Sequence, residues 1–279
     1  MTGVIALILA LAADSVSLPV VWDRAFNLET SIRQAVRKDD GDWVSTSETW
    51  RVAVQPTNDG FKTRWTSRTS PDVTPMLVET DPRLVPTAVT NLEDVWRERG
   101  RELVVFTQVS EDAAAQMVRT LPEPARFSLI ARPLTLLSFG QGLELVVGEP
   151  LTQSLESISV GDAQVAMVST FLLRSVDEGR GKAIVEWTTD LEPKSLEEAF
   201  PSMVRALLGV SEDDADKLAE FNRALESAQM VQRRQCEYVI DMVSGIADHV
   251  ECTEIQSVAF LDHRTKTEKR LEATQALLP

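Results

Sequence analysis

Reactive side chains are scarce in this sequence. Histidine and cysteine occur twice each and tyrosine once in 279 residues. The local signatures of nucleophilic, zinc and nucleotide chemistry are missing: there is no G-x-S-x-G, S-x-x-K, H-E-x-x-H or P-loop, and no G-x-G-x-x-G that opens a helix after a strand. Neither His249 nor His263 has an orienting partner nearby in sequence, so both read as surface residues and not as a general base. No catalytic residue, metal ligand or cofactor is therefore assigned. Basic residues are short as well. The 28 present against 43 acids leave a net charge of −15, which opposes nucleic acid and anionic membrane surfaces as partners. Beyond the N-terminus no apolar run reaches the roughly 18 residues of a membrane helix, so no transmembrane span is expected.

What is present begins with VIALILALAA, Val4 to Ala13, an uncharged apolar run. At about ten residues it fits the h-region of a signal peptide and is too short to span a bilayer. Ala10-Leu11-Ala12 supplies the small-x-small pattern of a cleavage site, although no basic residue precedes the run. Residues 1–13 are therefore expected to be a signal peptide cut near Ala12 or Ala13. Residues 14–279 are expected to form one soluble domain, periplasmic or secreted.

An exported protein meets oxidising conditions, where an even cysteine count favours a disulfide. Both cysteines lie in CEYVIDMVSGIADHVEC, residues 236–252. A three-residue hairpin loop Val243-Ser244-Gly245, with Gly245 left-handed, sets Cys236 opposite Cys252, Tyr238 opposite Val250 and Met242 opposite Ile246. Glu237, His249 and Glu251 then share the polar face. Directly opposed residues have Cα atoms roughly 4.5–5.5 Å apart, within disulfide reach. A redox pair would have C-x-x-C spacing, and a zinc site would need about four ligands.

The same turn chemistry recurs. A loop at Asp39-Asp40-Gly41 sets Phe26, Leu28, Thr30 and Val36 against Val54, Val52, Trp50 and Val44. A loop at Asp177-Glu178-Gly179 sets Leu173 against Ala183, Phe171 against Val185 and Val165 against Leu191. A turn at Pro56–Asp59 matches Val54 with Phe61 and Trp50 with Trp65, giving a meander of strands near 18–37, 43–55 and 60–69. Acid-and-glycine stretches such as DDGD lack calcium-loop spacing and read as turns. The basic stretch HRTKTEKR, residues 263–270, reads as a solvated strand face.

Helices are expected in two insertions. The first, near 91–120, holds a helix capped by Asn91 and a second over 111–120. The second insertion, near 195–228, holds a helix started by a Ser195/Glu198 capping box and another over 212–228. Between them, PLTLLSFGQGLELVVGEPL (133–151) is apolar and broken by glycines, which suits either buried core or a mobile flap.

The fold expected is mainly antiparallel β with helical insertions (α+β): nine or ten strands in a single curved sheet, or half-barrel, wrapped around or capped by helices. In outline this is similar to the open half-barrels of periplasmic lipoprotein and lipid carriers. That likeness implies an apolar cavity under a helical lid. Trp50, Trp65, Phe171 and Trp187 lie in phase with apolar strand faces and are the ligand-binding candidates, lining a cavity of several hundred Å³. The function expected is binding of an apolar or amphipathic, lipid-like ligand without catalysis or cofactor. The alternatives are a module that recognises another envelope protein through a sheet edge or its acidic helices, and a hydrolase with an unrecognised carboxylate site.

Overall fold

Alternation of buried and more exposed side chains is the organising pattern. In Lys182–Leu191 every second residue is buried, as a strand with one face on a core requires. The computed structural model describes residues 15–18, 24–82, 84–105, 111–137, 143–160, 163–208, 229–260 and 263–279. The expected signal peptide and the expected helix over 212–228 lie outside these residues.

Along the chain come β1 (Ser15–Ser17), β2 (Phe26–Lys38), β3 (Val44–Pro56), β4 (Phe61–Ser67), β5 (Met76–Thr80) and β6 (Pro86–Val89). Three helices follow: α1 (Leu92–Val105), α2 (Glu111–Thr120) and α3 (Glu123–Leu137). Next are β7 (Glu144–Val146), β8 (Pro150–Val160), β9 (Ala163–Asp177), β10 (Lys182–Leu191) and α4 (Pro193–Leu208). The remaining strands are β11 (Gln229–Asp241), β12 (Ala247–Phe260) and β13 (His263–Leu278).

Eleven strands form one antiparallel sheet in the order β6-β5-β4-β3-β2-β13-β12-β11-β10-β9-β8, which does not close; β1 and β7 form a separate small pair. Two meanders, β2–β6 and β8–β13, meet at a seam where β2 runs against β13 from Asn27↔Leu278 to Lys38↔Thr267. The sheet is thus wider than the nine or ten strands expected. The first long strand begins at Phe26 and not near residue 18.

Register follows the sequence reading in two hairpins. Phe26, Leu28, Thr30 and Val36 face Val54, Val52, Trp50 and Val44, although the residue with positive φ in that turn is Asp39, at 50°. Cys236 faces Cys252 and Tyr238 faces Val250, but a bulge between Val239 and Ile240 lengthens the turn. Met242 and Ile246 are therefore not a ladder pair. Gly245 is left-handed, with φ of 72°. In the β3–β4 hairpin the true partners are Pro56↔Phe61, Val54↔Thr63 and Val52↔Trp65, two positions from the expected register. The even shift keeps Trp50 and Trp65 on one face. In the β9–β10 hairpin the left-handed glycine is Gly181 and not Gly179, and a bulge follows, so Phe171 faces Trp187 and Met167 faces Leu191.

Glu111–Thr120 is helical as expected, but the first insertion continues through α3 to Leu137. Asn91 accepts the Asp94 and Val95 amides on its backbone carbonyl, while its side chain bonds Leu77 N and Pro75 O and ties the start of α1 to β5. The start of α4 is capped by Glu192, whose carboxylate accepts the Lys194 and Ser195 amides. Ser195 instead uses its hydroxyl to accept Ala166 N in β9. One hydrophobic cluster joins the same face of β2–β5 and β9–β13 to α1 and α3, so the sheet curves around the helical layer. A smaller cluster of Val165, Met167, Leu191 and Ala199 seats α4 on the β9 end.

Candidate functional site

The four aromatic candidates all lie on this inner face and form two pairs. Trp50 and Trp65 meet edge to face at 6.4 Å between ring centroids. Phe171 and Trp187 stack at 6.3 Å. The pairs belong to different arms of the sheet, with β2, β13, β12 and β11 between β3 and β10. All four rings are buried, at 2–8% exposure. Two of the indole edges are bonded within the protein: Trp65 Nε1 donates to Thr63 Oγ1 and Trp187 Nε1 to Ser169 Oγ. Arg99 from α1 lies 5.0 Å over the Trp50 ring and pairs with Glu48 of β3, a cation–π and ionic clamp of the helical layer on the sheet.

The expected large cavity lined by these rings is not what the inner face holds. The apolar cleft beside Trp65 has a volume of about 30 Å³ and is bounded by Leu28, Val52, Val54, Val78, Leu84, Pro86, Leu134, Leu137 and Ile246, with Thr63, Thr80 and Gln275. That is room for about one water molecule. Trp50, Phe171 and Trp187 do not line it. The space is filled by α3: Leu134, Leu136 and Leu137 are all buried, at 4–6% exposure. Pro133 sits inside that helix and deprives the Leu129 carbonyl of its i→i−4 donor.

A second cleft, of about 40 Å³, lies beside the last turns of α3 and is bounded by Pro133, Leu136, Gln34, Ala35, Cys252 and Leu271, with Arg234, Glu254, Lys269 and Arg270. Arg234, Glu254 and Lys269 occupy one ladder row across β11, β12 and β13. Arg234 bonds Glu254 Oε2 through Nε at 3.1 Å and Nη2 at 3.0 Å, and Lys269 Nζ is 4.0 Å from Glu254 Oε1. The Arg234 guanidinium also lies 5.6 Å over the Trp187 ring. Four residues along the same face of β11, burial pushes the Tyr238 phenol well above its ordinary value, with Arg234 opposing. Tyr238 therefore stays neutral at physiological pH.

The Cys236–Cys252 disulfide is formed, with Cα atoms 4.0 Å apart, and is buried on the inner face between these features. The sequence reading missed the Arg234–Glu254–Lys269 row and took residues 263–270 as a solvated face, whereas Lys269 is sheltered beside Glu254; the alternation that puts Tyr238 and Cys236 inward also puts Arg234 inward. His249 lies on the outer face, bonded to Glu251 at 3.0 Å with Glu272 close by. His263 opens β13 opposite Phe260. No helix among the described residues is long and apolar enough to cross a membrane.

No protein-family model and no curated protein matches the sequence. Among solved structures, one of lipovitellin that concerns its lipid–protein interactions is similar at 10% identity and a TM-score of 0.43, over 91% of this chain and 25% of that one. This chain thus spans about a quarter of that chain's length. A Vibrio parahaemolyticus domain provisionally described as an outer membrane lipoprotein-sorting protein is similar at 7% identity and a TM-score of 0.19, over 90% of this chain and 85% of that one. At such scores the likeness bears no functional weight, and the fold rests on the open antiparallel sheet and its helical layer.

Proposed function

We propose that the protein binds an apolar or amphipathic, lipid-like ligand between the inner face of its sheet and α3, without catalysing a reaction. The observation that carries this reading is the cleft beside Trp65, whose walls are almost wholly aliphatic and aromatic and whose roof is α3. A drug-sized ligand needs about 300–1,000 Å³, so binding requires Leu134 and Leu137 to leave the cleft and α3 to act as a lid. In that open state Trp65 is the first ring a ligand meets, with Trp50, Phe171 and Trp187 as the floor around it. The disulfide fits an oxidising compartment such as the periplasm or the extracellular space. Residues 14–279 act in this reading as a single domain.

Brominated fatty acid, which quenches indole fluorescence on contact, tests the proposal. Saturable quenching of delipidated protein, with the quenchable fraction reduced in Trp65→Phe, is the expected result. Absence of saturable quenching by any apolar chain would overturn it. The filled inner face favours a second reading in that event, recognition of an envelope protein through the open β8 edge of the sheet.

A further inference from the structure

The last turns of α3 border both clefts of the inner face: Leu134 and Leu137 line one, Pro133 and Leu136 the other. Displacement of that segment would open a groove along the sheet between them. The groove is apolar beside Trp65 and ends at Arg234, Glu254 and Lys269, which are 20%, 8% and 29% exposed at their side chains. With Arg270, which also lines that cleft, three cations stand against one carboxylate, a formal net charge of +2 for the lining. In a chain of net charge −15, a sheltered positive site at the end of an apolar trough is a local reversal of the molecule's field. A low dielectric there strengthens its pull on an anion.

We infer that the ligand is an anionic amphiphile, with its chain in the trough beside Trp65 and its carboxylate or phosphate headgroup against Arg234 and Lys269. This rests on the proposed lipid-like ligand and goes further by fixing its charge and orientation. Glu254 holds the Arg234 fork in place while the site is closed. It also repels the incoming headgroup, so it limits affinity. Arg234 suits the task because its planar fork presents several donors, of which Nε and Nη2 face Glu254, and such a fork matches carboxylate and phosphate geometry.

The test compares palmitate with hexadecanol, which has the same chain without the charge, by competition against a fluorescent apolar probe in the full-length protein. Charge-assisted hydrogen bonds predict palmitate binding about ten- to a hundredfold tighter. Arg234→Gln with Lys269→Gln is expected to abolish that preference while hexadecanol binding persists. Glu254→Gln is expected to tighten palmitate binding, which a merely structural role for the row would not do. Lysophosphatidate in the same assay separates the headgroups: tighter binding than palmitate assigns phosphate, and weaker binding assigns carboxylate. Equal binding of acid and alcohol by the parent, or a preference that survives the double substitution, overturns the inference and leaves the lipid-binding proposal standing. Failure of every chain to bind overturns both. Should the double variant not fold, Glu254→Gln decides alone, and unchanged or weaker palmitate binding refutes the assignment.

Discussion

Replacing both half-cystines, Cys236→Ala with Cys252→Ala, removes a link between positions 16 apart in sequence. In the chain-entropy treatment, closing a loop of that length lowers the entropy of the unfolded chain by about 10 cal/mol/K, or about 3 kcal/mol at 25 °C. Cys236 is 0% and Cys252 5% exposed, so loss of the sulfurs also leaves small voids in the inner face, worth about 1 kcal/mol more. The expected total is about 4 kcal/mol, a large share of a typical domain's net stability. Guanidinium unfolding, followed by tryptophan fluorescence and far-ultraviolet circular dichroism, measures it. Reduced parent protein keeps the sulfurs and should lose only the entropic part. A reduced parent as stable as the oxidised one would refute the reasoning, because the bridge would then restrain nothing that folding does not already restrain.

Gly60→Ala should cost at least about 2 kcal/mol: Gly60 has φ of +150°, and an added Cβ would stand 2.0 Å from the Thr80 backbone carbonyl; a denaturant midpoint equal to the parent's would contradict this close approach of β4 to β5. Acid should weaken the β11–β12 hairpin through Asp241. Burial raises its pKa, but bonds from Lys182 and Ser244 outweigh burial and hold it at about 2 against an ordinary 3.8. The group therefore adds stability above about pH 4 that disappears as pH falls toward 2, roughly 1 kcal/mol once screening of a partly exposed pair is allowed for. Asp241→Asn should remove that part of the pH slope, and an identical slope in parent and variant between pH 4 and 2 would count against it.

Much of the sheet was legible because period-two alternation and turn residues act locally. The β2–β3 register and the Cys236–Cys252 pairing need only a turn position and a parity. Where two glycines compete, as at Gly179 and Gly181, the sequence offers no means of deciding which takes the left-handed conformation, and a bulge at Ile184/Val185 then adds a further offset. The largest miss was α3. Its Pro133 and the glycines that follow argue locally against a helix, yet burial of Leu134, Leu136 and Leu137 in a long-range cluster holds it. That miss explains the site. The four inward aromatics were readable from alternation, whereas the helix that fills the space between them was not, so the expected cavity was too large by an order of magnitude. Likewise Glu192 caps α4 in place of Ser195 because Ser195 is drawn to the Ala166 amide, a partner 29 positions away.

The β2–β13 seam bears on timing. Every other ladder in the large sheet joins strands consecutive along the chain, so either half can form by pairing successive strands, with α4 inserted between β10 and β11. Asp39 and Lys266, joined across the seam by backbone and side-chain bonds, stand 227 positions apart. Joining the halves means closing that span before any seam bond forms, which slows folding more than it reduces stability. Until β13 meets β2, both of those strands present an unpaired edge. The unpaired β2 and β13 edges are then the parts of the sheet most open to aggregation.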